Sequence, residues 1–205
     1  MKLYYATHTC SLSPAIVAAE AGIPLELEKV DLATHRLADG DDYKAINPLG
    51  YVPVLELDDG ERLTEGAAIV QYLADLKPQS GLAPPAGTRE RVRLQQWLNF
   101  VASELHKSFS PWLFHPEVGS QAQAYSRDRL AARFAFVERR LEVSPYLNGN
   151  TFSVADAYCF TIVGWSGFTG VDLEPYPRLR SYLERIADRP AVREAMRAHG
   201  LRKAA

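Results

Sequence analysis

The chain has 205 residues, 47% of them apolar and 23% charged, with a formal net charge of −2. That composition builds a globular core and excludes a disordered or fibrous chain, and no apolar run is long enough to span a bilayer. Two cysteines, Cys10 and Cys159, are too few for a disulfide framework and fit a reducing cytoplasm. No Cys or His pair at ligand spacing has a second pair to complete a metal site.

Charge is uneven along the chain. Residues 1–80 carry 13 Asp and Glu against 6 Lys and Arg, whereas residues 81–205 carry 12 against 17. Such a shift suggests two units. The arginines of the second half are spread over several helical stretches without interleaved aromatics, which reads as solvated faces and not as a nucleic-acid surface.

Lys2–Tyr5 reads as a strand, without the apolar stretch of a signal peptide. Ser11 to Ala21 follows as a helix, with Pro14 in its first turn and Gly22 as its stop. Leu25–Val30 alternates apolar and charged residues, as a half-exposed strand does. After a loop at Asp39-Gly40 and a short helical segment ending at Asn47-Pro48, Val54–Leu57, the turn Asp58-Asp59-Gly60 and Arg62-Leu63 form a hairpin. Glu65 to Leu76 is helical. The order βαβ, connector, ββα predicts a mixed sheet. Residues 77–87 (KPQSGLAPPAG) punctuate the chain with Pro and Gly and read as a linker. Beyond them, helices are expected at Glu90 to about Phe109, about 121–142, 154–166, Arg178–Asp188 and Ala191–Ala198. The third opens on a capping box, Ser153 and Asp156.

Several constellations could carry chemistry. Cys10 immediately precedes the first helix, where the helix dipole and free N–H groups favour a thiolate; the alternative is an inert buried cysteine, and position alone does not choose. Cys10 to Ser13 is a Cys-x-x-Ser pattern, so a disulfide at Cys10 needs an outside thiol to resolve it. Cys159 sits in an apolar helix and reads as core. Tyr51-Val52-Pro53 places a proline at a strand start, where a cis bond would present the Val52 backbone to a peptide-like ligand; taken by itself, it reads first as a simple strand-entry proline. Thr64-Glu65-Gly66 opens the next helix, suited either to a zwitterionic ligand or to plain capping. On the long helix, Leu94, Leu98, Val101 and Leu105 form one stripe facing the core. Asn99, Ser103 and His106 form a second, short-chained polar stripe, open either to a ligand or to solvent.

Taken together, these residues resemble a glutathione transferase of the bacterial beta class. The matching segments are Cys10-Ser11-Leu12, Asp41-Asp42-Tyr43, Asn47-Pro48, Val52-Pro53, Leu63-Thr64-Glu65-Gly66, Gln71-Tyr72-Leu73-Ala74-Asp75, Trp97-Leu98-Asn99, Glu104-Leu105-His106-Lys107 and Ser153–Tyr158, in order over nearly the whole chain. The resemblance implies a thioredoxin-like domain at 1–78, a linker at 79–87, an all-helical domain at 88–205, and a homodimer. It implies glutathione as co-substrate with no permanently bound cofactor. Cys10 is then placed beside the glutathione sulfur and can form a mixed disulfide with it. Val52, before a cis Pro53, pairs with the cysteinyl part, and Glu65 and Gly66 hold the γ-glutamyl end. Asn99, Ser103 and Glu104 contribute from the helical domain, some of them in the partner subunit. His106 lies near the sulfur and assists proton transfer, and Lys107 adds positive charge. His35 stands where the beta class often carries a lysine, and a neutral histidine is a weaker partner for the glycine carboxylate.

Three functions follow from the resemblance and the residues. The first is conjugation of glutathione to small hydrophobic electrophiles, with an apolar pocket lined by Phe109, Trp112, Leu113 and Trp165. The second is glutathione-dependent thiol–disulfide reduction or deglutathionylation, because a cysteine can itself become linked to glutathione. The third is non-catalytic carriage of apolar ligands.

Overall fold

In the computed structural model, which describes residues 1–201, β1 (Lys2–Tyr5) is the central strand of a four-stranded sheet with order β2-β1-β3-β4. α1 (Leu12–Ala21) carries the chain from β1 to β2 (Glu26–Lys29), which pairs parallel with β1 from Lys2 opposite Glu26 to Tyr5 opposite Lys29. β3 (Val54–Glu56) runs antiparallel on the other side of β1, and β4 (Arg62–Leu63) completes the hairpin. The expected mixed sheet is therefore present, and the first unit has the thioredoxin-like arrangement. Because β1 is covered on both faces, adjacent residues Leu3 and Tyr4 are both buried. Their side chains point to opposite faces. Tyr4 joins Val30, Tyr43, Val52 and Val54 in one apolar cluster, while Leu3 lies opposite Leu55 on the other face.

α1 ends as its sequence predicts. Gly22 adopts φ 66°, a left-handed conformation that costs glycine nothing, and its N–H donates to the carbonyls of Ala18 and Ala19. α2 (Gly66–Leu76) packs against α1.

The helical unit spans Ala83–Asp188. α3 (Arg89–Phe100) is capped by Thr88, whose side chain accepts from the Arg91 N–H. The long helix does not continue as regular α-helix to Phe109. Val101–His106 forms a π-helical segment before the short α4 (Lys107–Phe109). The core stripe survives this change, with Leu94, Leu98, Val101 and Leu105 all buried. α5 (Ser120–Arg140) and α6 (Val154–Val163) follow, then the single turn α7 (Ser166–Thr169) and α8 (Pro177–Ala187). Every residue of α6 is buried. Both α8 and α9 (Pro190–Ala198) begin on a proline, in the first turn, where its missing N–H has no intrahelical partner to lose. Each starts one residue earlier than periodicity suggests.

One boundary departs from expectation. The division near residue 82 falls inside the predicted linker, but the chain from Arg189 onward belongs to the first unit and not to the helical one. α9 packs on α1, with Val192 and Ala195 buried. Arg189 makes a two-pronged ion pair with Glu20 at the end of α1, at 2.6 and 2.7 Å. An amphipathic helix at the end of the chain shows its apolar face but not which surface will cover it. The last four residues of the expected 88–205 domain lie outside the described residues. Among the described residues no helix is long and apolar enough to cross a membrane, and no group of three or more His, Cys, Asp or Glu is placed to hold a metal ion.

Candidate active site

Each unit carries its own group of candidate residues. In the first unit they converge on Cys10. The turn before α1 is closed by the Leu12 N–H on the Thr9 carbonyl and the Ser13 N–H on the Cys10 carbonyl. Beneath it, the buried Ser11 hydroxyl both accepts from the Ala6 N–H and donates to the Ala6 carbonyl. This leaves Cys10 half-buried, with its Sγ–H donating to the Val52 carbonyl at 3.4 Å. The fourth residue of the Cys-x-x-Ser pattern has a structural task. Ser13 is buried, and its hydroxyl donates to the Cys10 carbonyl at 2.9 Å.

The Val52-Pro53 peptide is cis. The preceding loop holds it from one side, where the Tyr43 hydroxyl and the Asn47 amide both donate to the Tyr51 carbonyl, at 2.7 and 2.8 Å. The Val52 N–H makes no hydrogen bond to another described residue, so it remains a donor for a ligand. Gly66, at the start of α2, lies against the same place: a Cβ there would be 3.9 Å from Pro53 and 4.0 Å from the Ser13 hydroxyl. Cys10, Val52, Pro53 and Gly66 are thus brought together.

Glu65 caps α2 through its carbonyl, which accepts from Ala68 and Ile69. Its side chain is exposed, and its backbone sits at φ 65°, ψ 106°. For a residue with a side chain that conformation costs about 1–3 kcal/mol, so a carboxylate is held under strain at the positive end of a helix. His35 also has positive φ, 54°. Its ring lies on Gly50, where a Cβ would come within 2.7 Å of it; only glycine permits that approach. His35 Nδ1 is buried without a hydrogen-bond partner.

In the helical unit, the predicted polar stripe divides. Asn99 and Ser103 are exposed, and the Ser103 hydroxyl donates to the Asn99 carbonyl. Glu104 is already engaged: Arg133 binds it through Nε at 2.9 Å and Nη2 at 2.6 Å, and Arg129 adds a third contact at 3.3 Å. His106 leaves the stripe, because a π-helical turn holds more residues than an α-helical one and rotates the side chains that follow. Its Nδ1 lies 2.8 Å from the Tyr158 hydroxyl on α6, and its ring stands edge-on to Trp165 at 4.9 Å. Burial, with Lys107 beside it, pushes the imidazole down to about 4. Lys107 is exposed.

The aromatics expected to line one pocket also divide. Phe109 and Trp165 are buried and packed against each other at 5.9 Å. Phe109 has no exposed surface and belongs to the core. Trp112 is exposed, with its indole N–H on the Lys107 carbonyl, and Leu113 is half-buried. Phe114 and Phe168, which the sequence does not single out, are exposed and stacked at 5.9 Å. Tyr158 is likewise missed. Its one sequence signal is a hydroxyl inside an apolar helix, which needs a partner once buried.

Residues 9–76 match the family model for the glutathione S-transferase N-terminal domain, and residues 100–190 that for its C-terminal domain. The chain is 41% identical to glutathione S-transferase GstA of Escherichia coli O157:H7 over 202 residues, covering 98% of this chain and all of the relative. Among solved structures it resembles the ternary complex of BphK, a bacterial GST, at 53% identity and a TM-score of 0.96, covering 98% of this chain and 100% of that one. A second is the bacterial beta class glutathione S-transferase of Sphingomonas chungbukensis, at 43% identity, a TM-score of 0.95 and the same coverage. The chain belongs to the glutathione S-transferase family, and its fold and similarities are those of the beta class. It is a transferase of the kind that acts on glutathione.

Proposed function

We propose that the chain conjugates glutathione to small hydrophobic electrophiles, with Cys10 facing the glutathione sulfur and able to form a mixed disulfide with it. The observation that carries this reading is the 3.4 Å contact of the Cys10 thiol with the Val52 carbonyl. It sets the thiol beside the one peptide whose N–H and C=O suit an added strand of peptide-like ligand. Glu65 and Gly66 then take the γ-glutamyl end, the carboxylate binding the ligand's ammonium and the helix N-terminus its carboxylate. His35 faces the glycine end. In the helical unit, His106, Asn99, Ser103 and Lys107 are the polar candidates for glutathione chemistry. Trp112, Leu113, Phe114 and Phe168 receive the electrophile. In conjugation the glutathione thiolate attacks the electrophilic carbon, the leaving group departs with its electron pair, and the thiol proton goes to solvent.

The half-buried thiol also favours a second reading, thiol–disulfide exchange. There the Cys10 thiolate attacks the glutathione sulfur of a substrate's mixed disulfide, forming the Cys10–glutathione disulfide and releasing the substrate as its thiolate. A glutathione thiolate then attacks that disulfide, releasing the Cys10 thiolate and leaving as glutathione disulfide. Mass spectrometry after incubation with glutathione disulfide is expected to show one glutathione adduct, on Cys10, and none in Cys10→Ala. The buried Cys159, whose thiol burial pushes strongly upward, stays unmodified. If Cys10→Ala keeps conjugation while losing disulfide reduction, the cysteine is a redox group and not the transferase centre. An unmodified Cys10 sinks the proposal.

We also propose a homodimer. The helical unit exposes Val92, Tyr125 and Phe136, and Phe136 closes an aromatic cluster with Trp97 and Phe100 at 5.6 and 5.1 Å. An exposed aromatic side chain seated on such a cluster is a surface for a second copy to cover. Phe136→Glu is expected to shift the chain from dimer to monomer in sedimentation velocity; a wild-type monomer refutes the idea.

A further inference from the structure

We propose that Asn148-Gly149 is a site of spontaneous modification in the helical unit: the Asn148 side chain deamidates through a cyclic imide, and the isoaspartyl linkage that results loosens the anchored loop before α6. The chemistry needs only water, a base in solvent and the chain itself. The Gly149 backbone nitrogen gives its proton to the base and attacks the Asn148 side-chain carbonyl carbon. A ring C–N bond forms, the bond to the amide nitrogen breaks, and ammonia leaves. Water then opens the imide. Cleavage at the side-chain carbonyl gives aspartate; cleavage at the main-chain carbonyl gives isoaspartate, in which the backbone runs through the side-chain methylene.

Asn148 is the chain's one asparagine followed by glycine, the neighbour that puts no Cβ in the path of the attacking nitrogen. Asn47 precedes a proline, which has no N–H to give up, and Asn99 and Asn150 precede Phe100 and Thr151. The Asn148 side chain makes no hydrogen bond with a described residue. The Asn47 amide, by contrast, is engaged at both ends, with Tyr51 and Leu49. Asp39-Gly40 and Asp59-Gly60 share the spacing, but their carboxyls accept from the Asp41 and Glu61 N–H groups, and an ionised carboxylate is a poor electrophile. The reacting N–H is loosely held. It reaches the Tyr146 carbonyl at 3.4 Å, beyond the ordinary range. A Cβ on Gly149 would meet nothing within 4 Å, and both residues are only half-buried, so base and water have access.

The residues on either side are fixed. Leu147 is fully buried; its N–H donates to Asp156 Oδ1 at 2.8 Å, and its carbonyl accepts from Arg140 Nε at 2.9 Å. On the other side, the Gly149 carbonyl accepts from the buried Ser144 hydroxyl and from the Tyr146 N–H. An isoaspartyl residue lengthens the backbone between these two anchors by one atom. Close packing around Leu147 leaves no slack for it, so an anchor lets go, and the one that reaches α6 is the bond from Leu147 to Asp156. Deamidation also adds a negative charge near the Pro145 and Leu147 carbonyls that Arg185 and Arg140 hold. Plain aspartate adds that charge without changing the backbone.

Peptide mapping by mass spectrometry, after long incubation of the full chain in mildly alkaline buffer, is expected to show one conversion per chain, at Asn148. Isoaspartate should exceed aspartate, and the yield should rise with pH. An intact Asn148, or earlier conversion at Asn47, Asn99 or Asn150, overturns the site. Asn148→Gln, whose imide needs a larger ring, is expected to stay intact over the same period; conversion at the wild-type rate overturns the cyclic route. Aged protein, separated from unconverted chain by ion exchange, is expected to melt about 2–4 °C lower, with faster deuterium exchange at the Leu147 N–H. Asn148→Asp, which carries the charge without the added backbone atom, is expected to melt within about 1 °C of wild type. Equal melting of fresh and aged protein, or an Asn148→Asp variant that melts as low as the aged chain, overturns the role of the inserted atom.

Discussion

Replacing Asp156 with Ala is expected to lower stability by about 4 kcal/mol, because four buried donors lose their acceptor at once. Asp156 has no exposed surface. Its Oδ1 accepts from the Leu147 N–H at 2.8 Å and the Tyr182 hydroxyl at 2.9 Å. Its Oδ2 accepts from the Ser153 N–H at 2.9 Å and the Ser153 hydroxyl at 2.7 Å. Burial pushes this carboxyl above its ordinary range, and the four hydrogen bonds pull it back. The carboxyl thus links the start of α6 to the loop before it and to α8. Each orphaned donor costs about 1–3 kcal/mol, with some relief from relaxation. Set against a total stability of about 5–15 kcal/mol, the loss should lower Tm by about 10 °C in calorimetry. Asp156→Asn, whose carbonyl oxygen can serve only one pair of donors, should fall between wild type and Ala. An Ala variant melting within about 2 °C of wild type would show that the network contributes little.

Acidification is expected to remove about 3 kcal/mol through His199 alone, between about pH 6.5 and pH 4. The ring is fully buried, neither nitrogen has a hydrogen-bond partner, and it packs on Tyr5 at 4.4 Å. Burial pushes the imidazole down to about 4, below its value of about 6.5 in an unfolded chain. Protons therefore bind the unfolded state first as pH falls. The stability is fully present above pH 6.5 and is lost on the way down to 4. His106 has the same depressed value and adds to the loss in the same window. In His199→Phe the ring volume remains and the proton site is gone. Urea denaturation at pH 7 and pH 4.5 should show a smaller difference for this variant than for wild type. Hydrogen exchange in α9 should accelerate at pH 4.5 only in wild type. Identical pH dependence in both proteins would remove His199 from the account.

Much of this organisation is legible in the residues themselves. Turn chemistry at Gly22, Asp58-Asp59-Gly60 and the 77–87 linker marks where elements stop, and apolar spacing marks the buried stripe of α3. The meeting of Cys10, Val52 and Gly66 follows from one strand order. Other features are not local. A π-helical segment uses the same residue types as an α-helix, so nothing in Val101–His106 announces the added rotation that carries His106 toward Tyr158. Asp156 reads as a capping residue, yet half of its bonds reach Leu147 and Tyr182, set by packing. Phe109 and Trp112 are both aromatic and near in sequence, and only the fold decides that one is core and the other surface. Exposure and strain at Glu65 depend on a backbone angle that its neighbours in sequence do not reveal.

The return of α9 to α1 has a consequence for how the chain is made. The surface of α1 that α9 covers is synthesised before the helical unit, and its cover after it. The helical unit alone, roughly a hundred residues from Ala83 to Asp188, leaves the ribosome in that interval and delays the cover by about 5–20 s at ordinary elongation rates. Throughout that interval the amino-terminal sheet is present without its final helix, while the helical unit can complete itself from contiguous chain. The unit that starts first is thus completed only after the helical unit has emerged.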